Sequence, residues 1–137
     1  MRRTLGILAA LAVLALAGCA AQTRSDSLTN TLKAYASTVR WGDFASAVQF
    51  VDPDTRKAHP LSTLDMARYG QVRVTEYNDD AGPVPTSDTE VRQTVRINLV
   101  NVNTQSERTV TDNQTWRYDP ATKHWWLTSG LPDITRD

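Results

Sequence analysis

The hydrophobic period of this chain changes once, at Gly70, and that change constrains the fold more than any motif does. Before it, Leu28, Leu32, Tyr35, Ala36 and Val39 recur at helical spacing, with Thr29, Asn30, Lys33, Ser37 and Arg40 off the stripe. Ser25, Asp26 or Ser27 can cap that helix, and Gly42 is placed to end it. Asp43 is a natural N-cap for a shorter helix with Phe44, Ala47, Val48 and Val51 on its apolar side, stopped by Asp52-Pro53. A third short helix is expected over residues 62–68, with Leu61, Leu64 and Met66 available for packing.

Beyond Gly70 the period is two. Val72, Val74 and Tyr77 mark a first strand, and residues 78–83 form a turn-rich break. The longest strand sets Val91, Val95, Ile97 and Leu99 against Arg92, Thr94, Arg96 and Asn98, the pattern of an antiparallel strand buried on one face. A loop at 103–107 leads to a strand through Tyr118, Asp119-Pro120-Ala121-Thr122 supplies a turn, and a last strand covers 123–128. Helices first and strands after predict an α+β domain, its helices on one face of an antiparallel sheet of about four strands.

The amino end follows a different plan. Arg2 and Arg3 precede an apolar run over residues 5–16, and the small residues Ala17 and Gly18 then precede Cys19. This is the order of an export signal, and the run is shorter than the ~20 residues that cross a bilayer core comfortably. Leu16-Ala17-Gly18-Cys19 resembles the lipobox of bacterial lipoproteins, and Cys19 is the only cysteine of the chain. The resemblance implies cleavage before Cys19, a thioether-linked diacylglycerol on its sulfur and an acyl chain on its amino group; two or three chains suffice for stable anchoring. A secretory signal cut elsewhere is the plainer alternative. Three regions follow: a signal peptide at 1–18, a lipidated tether at 19–26 and one α+β domain at 27–137.

Removing the first 18 of 137 residues leaves 119, with 13 basic against 15 acidic side chains. Neither this balance nor the zero net charge of the whole chain supplies the surplus of Lys and Arg that nucleic acid requires, so no nucleic-acid partner is expected. Ala20 is not the aspartate that retains such lipoproteins at the inner membrane, which implies an outer-membrane address facing the periplasm.

A second resemblance covers most of the mature chain. Tyr35, Arg40-Trp41-Gly42-Asp43-Phe44 and Phe50-Val51-Asp52-Pro53, with Tyr118-Asp119-Pro120 and the run from Trp126-Leu127 to Leu131-Pro132, resemble small proteobacterial lipoproteins of the cystatin-like, nuclear transport factor 2-like fold. That fold implies helices packed into the concave side of a bent sheet, a cone. It hosts enzymes and binding modules alike, so it does not supply the chemistry.

The informative place for a site is the strand ending at Tyr118. Its even-numbered row holds Val110, Trp116 and Tyr118, but also Arg108, Asp112 and Gln114. Such an interrupted apolar row either lines a pocket, with Asp112 and Gln114 as its convergent polar groups, or is a strand whose middle faces solvent. Ketosteroid isomerase-like members of the fold pair an aspartate base with tyrosine donors, an arrangement that Asp112 with Tyr35 or Tyr118 can assemble, although no motif of those enzymes is matched. Asp43 and Asp52 are explained as a helix cap and a helix stop. His59 and His124 lack a carboxylate pattern, Asp79-Asp80 reads as a solvated turn, and no serine sits in a nucleophile elbow.

Adjacent Trp125 and Trp126 must point to opposite sheet faces. Trp125 with Leu127 belongs to the core. Trp126, beside Thr109, Thr111 and Thr115, either anchors a protein interface or is covered by a loop or by residues 131–137. These features together predict a lipid-anchored envelope protein acting without catalysis as an adaptor or small binding module. Its partner would be an envelope protein or a second copy meeting the outer sheet face, and no cofactor is expected beyond the lipid on Cys19. The alternative is a ligand-binding pocket or isomerase-like enzyme centred on Asp112, with Gln114, Tyr35, Trp116 and Tyr118 around it.

Overall fold

A computed structural model describes the backbone of residues 2–135 and the side chains of residues 15–135. The side chains of Arg2, Arg3 and most of the apolar run, and the last two residues of the expected domain, lie outside the described residues. Helix α1 (Arg2–Trp41) is followed by α2 (Phe44–Ala47), a 3-10 turn (Val48–Phe50), α3 (Pro53–Ala58) and α4 (Thr63–Gly70). The strands are β1 (Val72–Asn78), β2 (Val84–Ser87), β3 (Glu90–Asn101), β4 (Glu107–Asp119) and β5 (His124–Leu127). They form one antiparallel sheet in the order β1-β3-β4-β5, with β2 also paired to β3. The protein is thus α+β, a helix-backed, curled half-barrel of cone-like shape. Among the described residues no helix is long and apolar enough to cross a membrane.

Helix α1 packs on both β1 and β5, the two ends of the strand path, so the sheet curls around it. The predicted stripe does this: Leu28, Leu32, Tyr35 and Val39 are all buried. Their partners are Val74 on β1, Val91, Val95, Ile97 and Leu99 on β3, Val110 and Trp116 on β4, and Trp125 and Leu127 on β5. At ~25 cal/mol per Å² of apolar surface removed from water, these large side chains carry most of the driving force for folding.

Residues 22–26 are not an extended tether. They are helical and continuous with α1, so the expected cap at Ser25, Asp26 or Ser27 does not form. No Gly or Pro interrupts residues 19–41, Gln22 donates to Asp26 one turn on (2.9 Å), and the hydroxyls of Thr23 and Thr29 bond back to the carbonyls four residues earlier. The segment also touches the domain. The Trp125 indole N–H donates to the Arg24 carbonyl (3.2 Å), and the Arg24 guanidinium lies 5.7 Å from the Tyr118 ring centroid.

Gly42 ends α1 as expected, its N–H reaching the Thr38 carbonyl at 2.9 Å. A Cβ there would stand 2.8 Å from that same oxygen, which explains why the exit uses glycine. Asp43 caps α2 through the Ser46 N–H (2.6 Å), and Ser62 with Asp65 forms a reciprocal capping box on α4.

Asp52 is more than a helix stop. It is the N-cap of α3, accepting from the Asp54 and Thr55 N–H groups (3.1 and 3.2 Å), with Pro53 at the first helical position. Its other carboxylate oxygen takes the Arg117 guanidinium at 2.6 Å. Burial pushes this carboxyl up, but the Thr55 N–H and Arg117 outweigh it and hold the pKa below the usual value. Replacing Asp52 with Ala removes both cap and ion pair and is expected to cost about 1–3 kcal/mol, read as a lower denaturation midpoint, with Asp52→Asn losing less because it still caps. An unchanged midpoint in Asp52→Ala would contradict this role.

Candidate functional site

The middle of the sheet's inner face is polar and buried. Register pairs Gln93 with Gln114 and Val95 with Asp112 across β3 and β4, so three polar side chains share one row system between Val91–Trp116 and Ile97–Val110. Asp112 is 7% exposed, Gln93 3% and Gln114 1%, which overturns the solvent-facing alternative for this strand. Gln114 organises the group. Its amide nitrogen donates to Asp112 (2.8 Å) and to the Tyr77 hydroxyl (2.9 Å), and its amide oxygen accepts from the Trp116 indole (3.1 Å).

Tyr35 reaches this cluster from α1, its ring edge-on to Trp116 (5.2 Å) and to Phe50 (5.5 Å). Its hydroxyl and the Gln93 amide nitrogen are buried without a hydrogen-bond partner among the described residues. Burial, then the charge of Asp112, pushes the Tyr35 hydroxyl pKa well up. Tyr77 is pushed up chiefly by burial, and Tyr69 is raised to about 12 by burial with the nearby acids Asp133, Asp65 and Asp112. Asp112 itself is raised to about 6 by burial, tempered by the Gln114 hydrogen bond. A neutral carboxyl donates as well as accepts.

Of the five side chains expected to form a pocket, Asp112, Gln114, Tyr35 and Trp116 come together. Tyr118 does not join them: it stacks on Trp125 (centroids 5.2 Å apart) under Arg24. Tyr77 and Gln93 were missed. Gln93 was readable, since it falls in the same odd-numbered row as Val91 and Val95, whereas Tyr77 joins only through strand pairing. The cluster is packed side chain on side chain, and the groove described below is lined by other residues. It is a hydrogen-bonded core layer that a substrate reaches only if the domain opens.

Trp125 is buried and Trp126 is half-buried on the opposite face, as alternation requires. The Trp126 ring lies 4.1 Å from that of His124, and its strand partner is Arg117. Hydrogen bonds of the tail run elsewhere, from the Tyr69 hydroxyl to the Pro132 carbonyl (2.8 Å) and from Arg108 to the Ile134 carbonyl.

An open site lies on the flank. A groove of about 770 Å³ runs between α2, the 3-10 turn, α3, α4 and the segment after β5. Ala45, Val48, Val51, Pro60, Leu61, Met66 and Leu131 make it largely apolar, and Thr55, Arg56, His59, Tyr69, Thr128, Ser129 and Gly130 complete it. Its size is that of a small-ligand site. Sequence reasoning missed it because α3 was hidden: Asp52-Pro53 reads as a stop for the helix before it, yet an N-cap Asp followed by Pro is equally a helix start. No protein-family model matches the chain, and no curated protein or solved structure matches it either.

Proposed function

We propose that this protein is a lipid-anchored binding module of the cell envelope, held at the periplasmic face of the outer membrane by Cys19 and acting without catalysis through the flank groove. The observation that carries the reading is that groove, open and apolar, beside a polar cluster that is closed. Cys19 is exposed on α1, within the lipobox-like Leu16-Ala17-Gly18-Cys19.

The fold supports a definite posture. Arg24 follows Cys19 by five residues along the helix, a rise of about 7.5 Å, so the acyl chains would sit close under the domain on a helical stalk. Along α1 from Arg24 to Tyr35 the sheet is met first at Tyr118 and Trp125 and then at Trp116, so the β4–β5 turn lies at the membrane end. Trp41 follows Arg24 by 17 residues, about 26 Å along the helix. Beyond Trp41 the chain turns back along the domain, Phe50 packing on Tyr35 and Val51 bridging to Leu127, so the groove wall at Val48 and Val51 lies on the domain's flank. Cells fed labelled palmitate test the anchor: the protein should take up label and sediment with membranes, and Cys19→Ser should do neither. A soluble, unlabelled parent protein would contradict the reading.

A proton-transfer enzyme centred on Asp112 is the second reading. Burial of a carboxyl raised to about 6 beside the unpartnered Tyr35 hydroxyl favours it. It requires a carbonyl substrate whose turnover is lost in Asp112→Asn; a turnover that survives that change would remove it.

A further inference from the structure

We propose that the flank groove takes a single apolar chain ending in a carboxylate, the chain lying along Val48, Leu61 and Met66 and the carboxylate meeting Arg56 and His59. The proposal rests on the binding-module reading and names its ligand class. Charge is the deciding feature. Among the described residues the ionisable side chains lining the groove are Arg56, His59 and Tyr69, and no carboxylate lines it. The Tyr69 hydroxyl is already committed to the Pro132 carbonyl (2.8 Å). Asp52, the acid that caps α3, is engaged by Arg117 and two backbone N–H groups.

Arg56 and His59, by contrast, are exposed, and their side chains have no hydrogen-bond or ion-pair partner among the described residues. Arg56 lies in the last turn of α3 and His59 is the residue that caps its end, and both line the same groove at the rim of an apolar wall. A guanidinium presents a planar fork that fits a carboxylate bidentately, and a neighbouring imidazole adds a further donor. The apolar wall gains from burying methylenes, about 0.8 kcal/mol each when fully buried. A cationic head on the same chain would meet Arg56 with like charge, so the groove should discriminate by head group as well as by length.

The test uses the full chain with Cys19→Ser, which carries no acyl groups of its own, titrated calorimetrically with monomeric decanoate, 1-decanol and decyltrimethylammonium. Decanoate should bind at least about tenfold more tightly than the other two, and Arg56→Gln should remove about that factor, the worth of one charge-assisted hydrogen-bonded pair. Ala45→Phe, at an exposed position on the groove wall, should abolish binding of decanoate and decanol alike while the unfolding midpoint stays in place. Equal binding of decanoate and the ammonium, or decanoate affinity unchanged in Arg56→Gln, overturns the carboxylate inference. If decanol still binds and Ala45→Phe still abolishes it, the groove reading survives that failure. Binding of decanoate that Ala45→Phe leaves unchanged would place the ligand elsewhere and overturn both.

Discussion

Gln114→Leu is expected to lower the folding free energy by about 3–6 kcal/mol, a large share of the 5–15 kcal/mol that holds a domain of this size together. Leucine nearly preserves the volume, so the loss comes from polar groups rather than from a cavity. Among the described residues Gln114 is the only hydrogen-bond partner of the Trp116 indole and of the Asp112 carboxylate, and it also serves the Tyr77 hydroxyl. Trp116 is fully buried and Asp112 nearly so, and each buried group left unpaired costs about 1–3 kcal/mol. Urea denaturation of the two proteins measures the difference. Adding Asp112→Leu should recover part of the loss, because removing both partners is less costly than orphaning one. A destabilisation under 1 kcal/mol would mean that Gln114 does not organise the cluster.

Asp112→Asn is expected to act in the opposite direction, and only above acid pH. The carboxyl titrates near 3.8 in an unfolded chain and at about 6 in the folded one. Below 3.8 both states hold the proton and burial carries no ionic penalty. Between 3.8 and 6 the folded state binds the proton that the unfolded state has lost, so stability falls as pH rises through that window. Above about 6 the full penalty is present, about 3 kcal/mol for a difference of this size. Asn carries no charge and avoids it. The variant should therefore be more stable than the parent at pH 7 by up to about 3 kcal/mol and nearly equal to it at pH 3.5. Asp43 and Asp65 are held below the usual carboxylate value by hydrogen bonds from Ser46 and Ser62, and their contributions change mainly below the window. Comparing parent and variant at each pH cancels them. Parallel stability profiles for the two proteins would contradict a buried, cation-free Asp112.

The long strands were readable because one face is wet and the other dry, so β3 and β4 declare themselves by alternation. Helices α1, α2 and α4 were readable from stripes and caps. Strand β2 was not: all four of its residues are exposed, it contains Pro85, and it pairs on one side only, so neither burial nor propensity marks it. The helical conformation of residues 22–26 was not legible, because their polar side chains resemble a linker, whereas the conformation is set by the helix running through them. The polar row around Asp112 was visible as an anomaly in β4. Its closure was not, since Gln93, Tyr77 and Tyr35 arrive from three other elements whose register a single sequence does not state. Four of five named side chains meet there, yet the open groove lies elsewhere, built from the stretch with the weakest periodicity.

The most direct test of a lipid-anchored module is depth. Because Cys19 would be consumed by lipid, single cysteines at Thr122, in the β4–β5 turn, and at Trp41, at the far end of α1, can be labelled cleanly with a fluorophore in the acylated protein placed in vesicles. With nitroxide-bearing lipid head groups, the expected result is strong quenching at 122 and little at 41. Equal quenching at both positions, or none at either, would contradict a lipid-anchored protein standing on a short helical stalk.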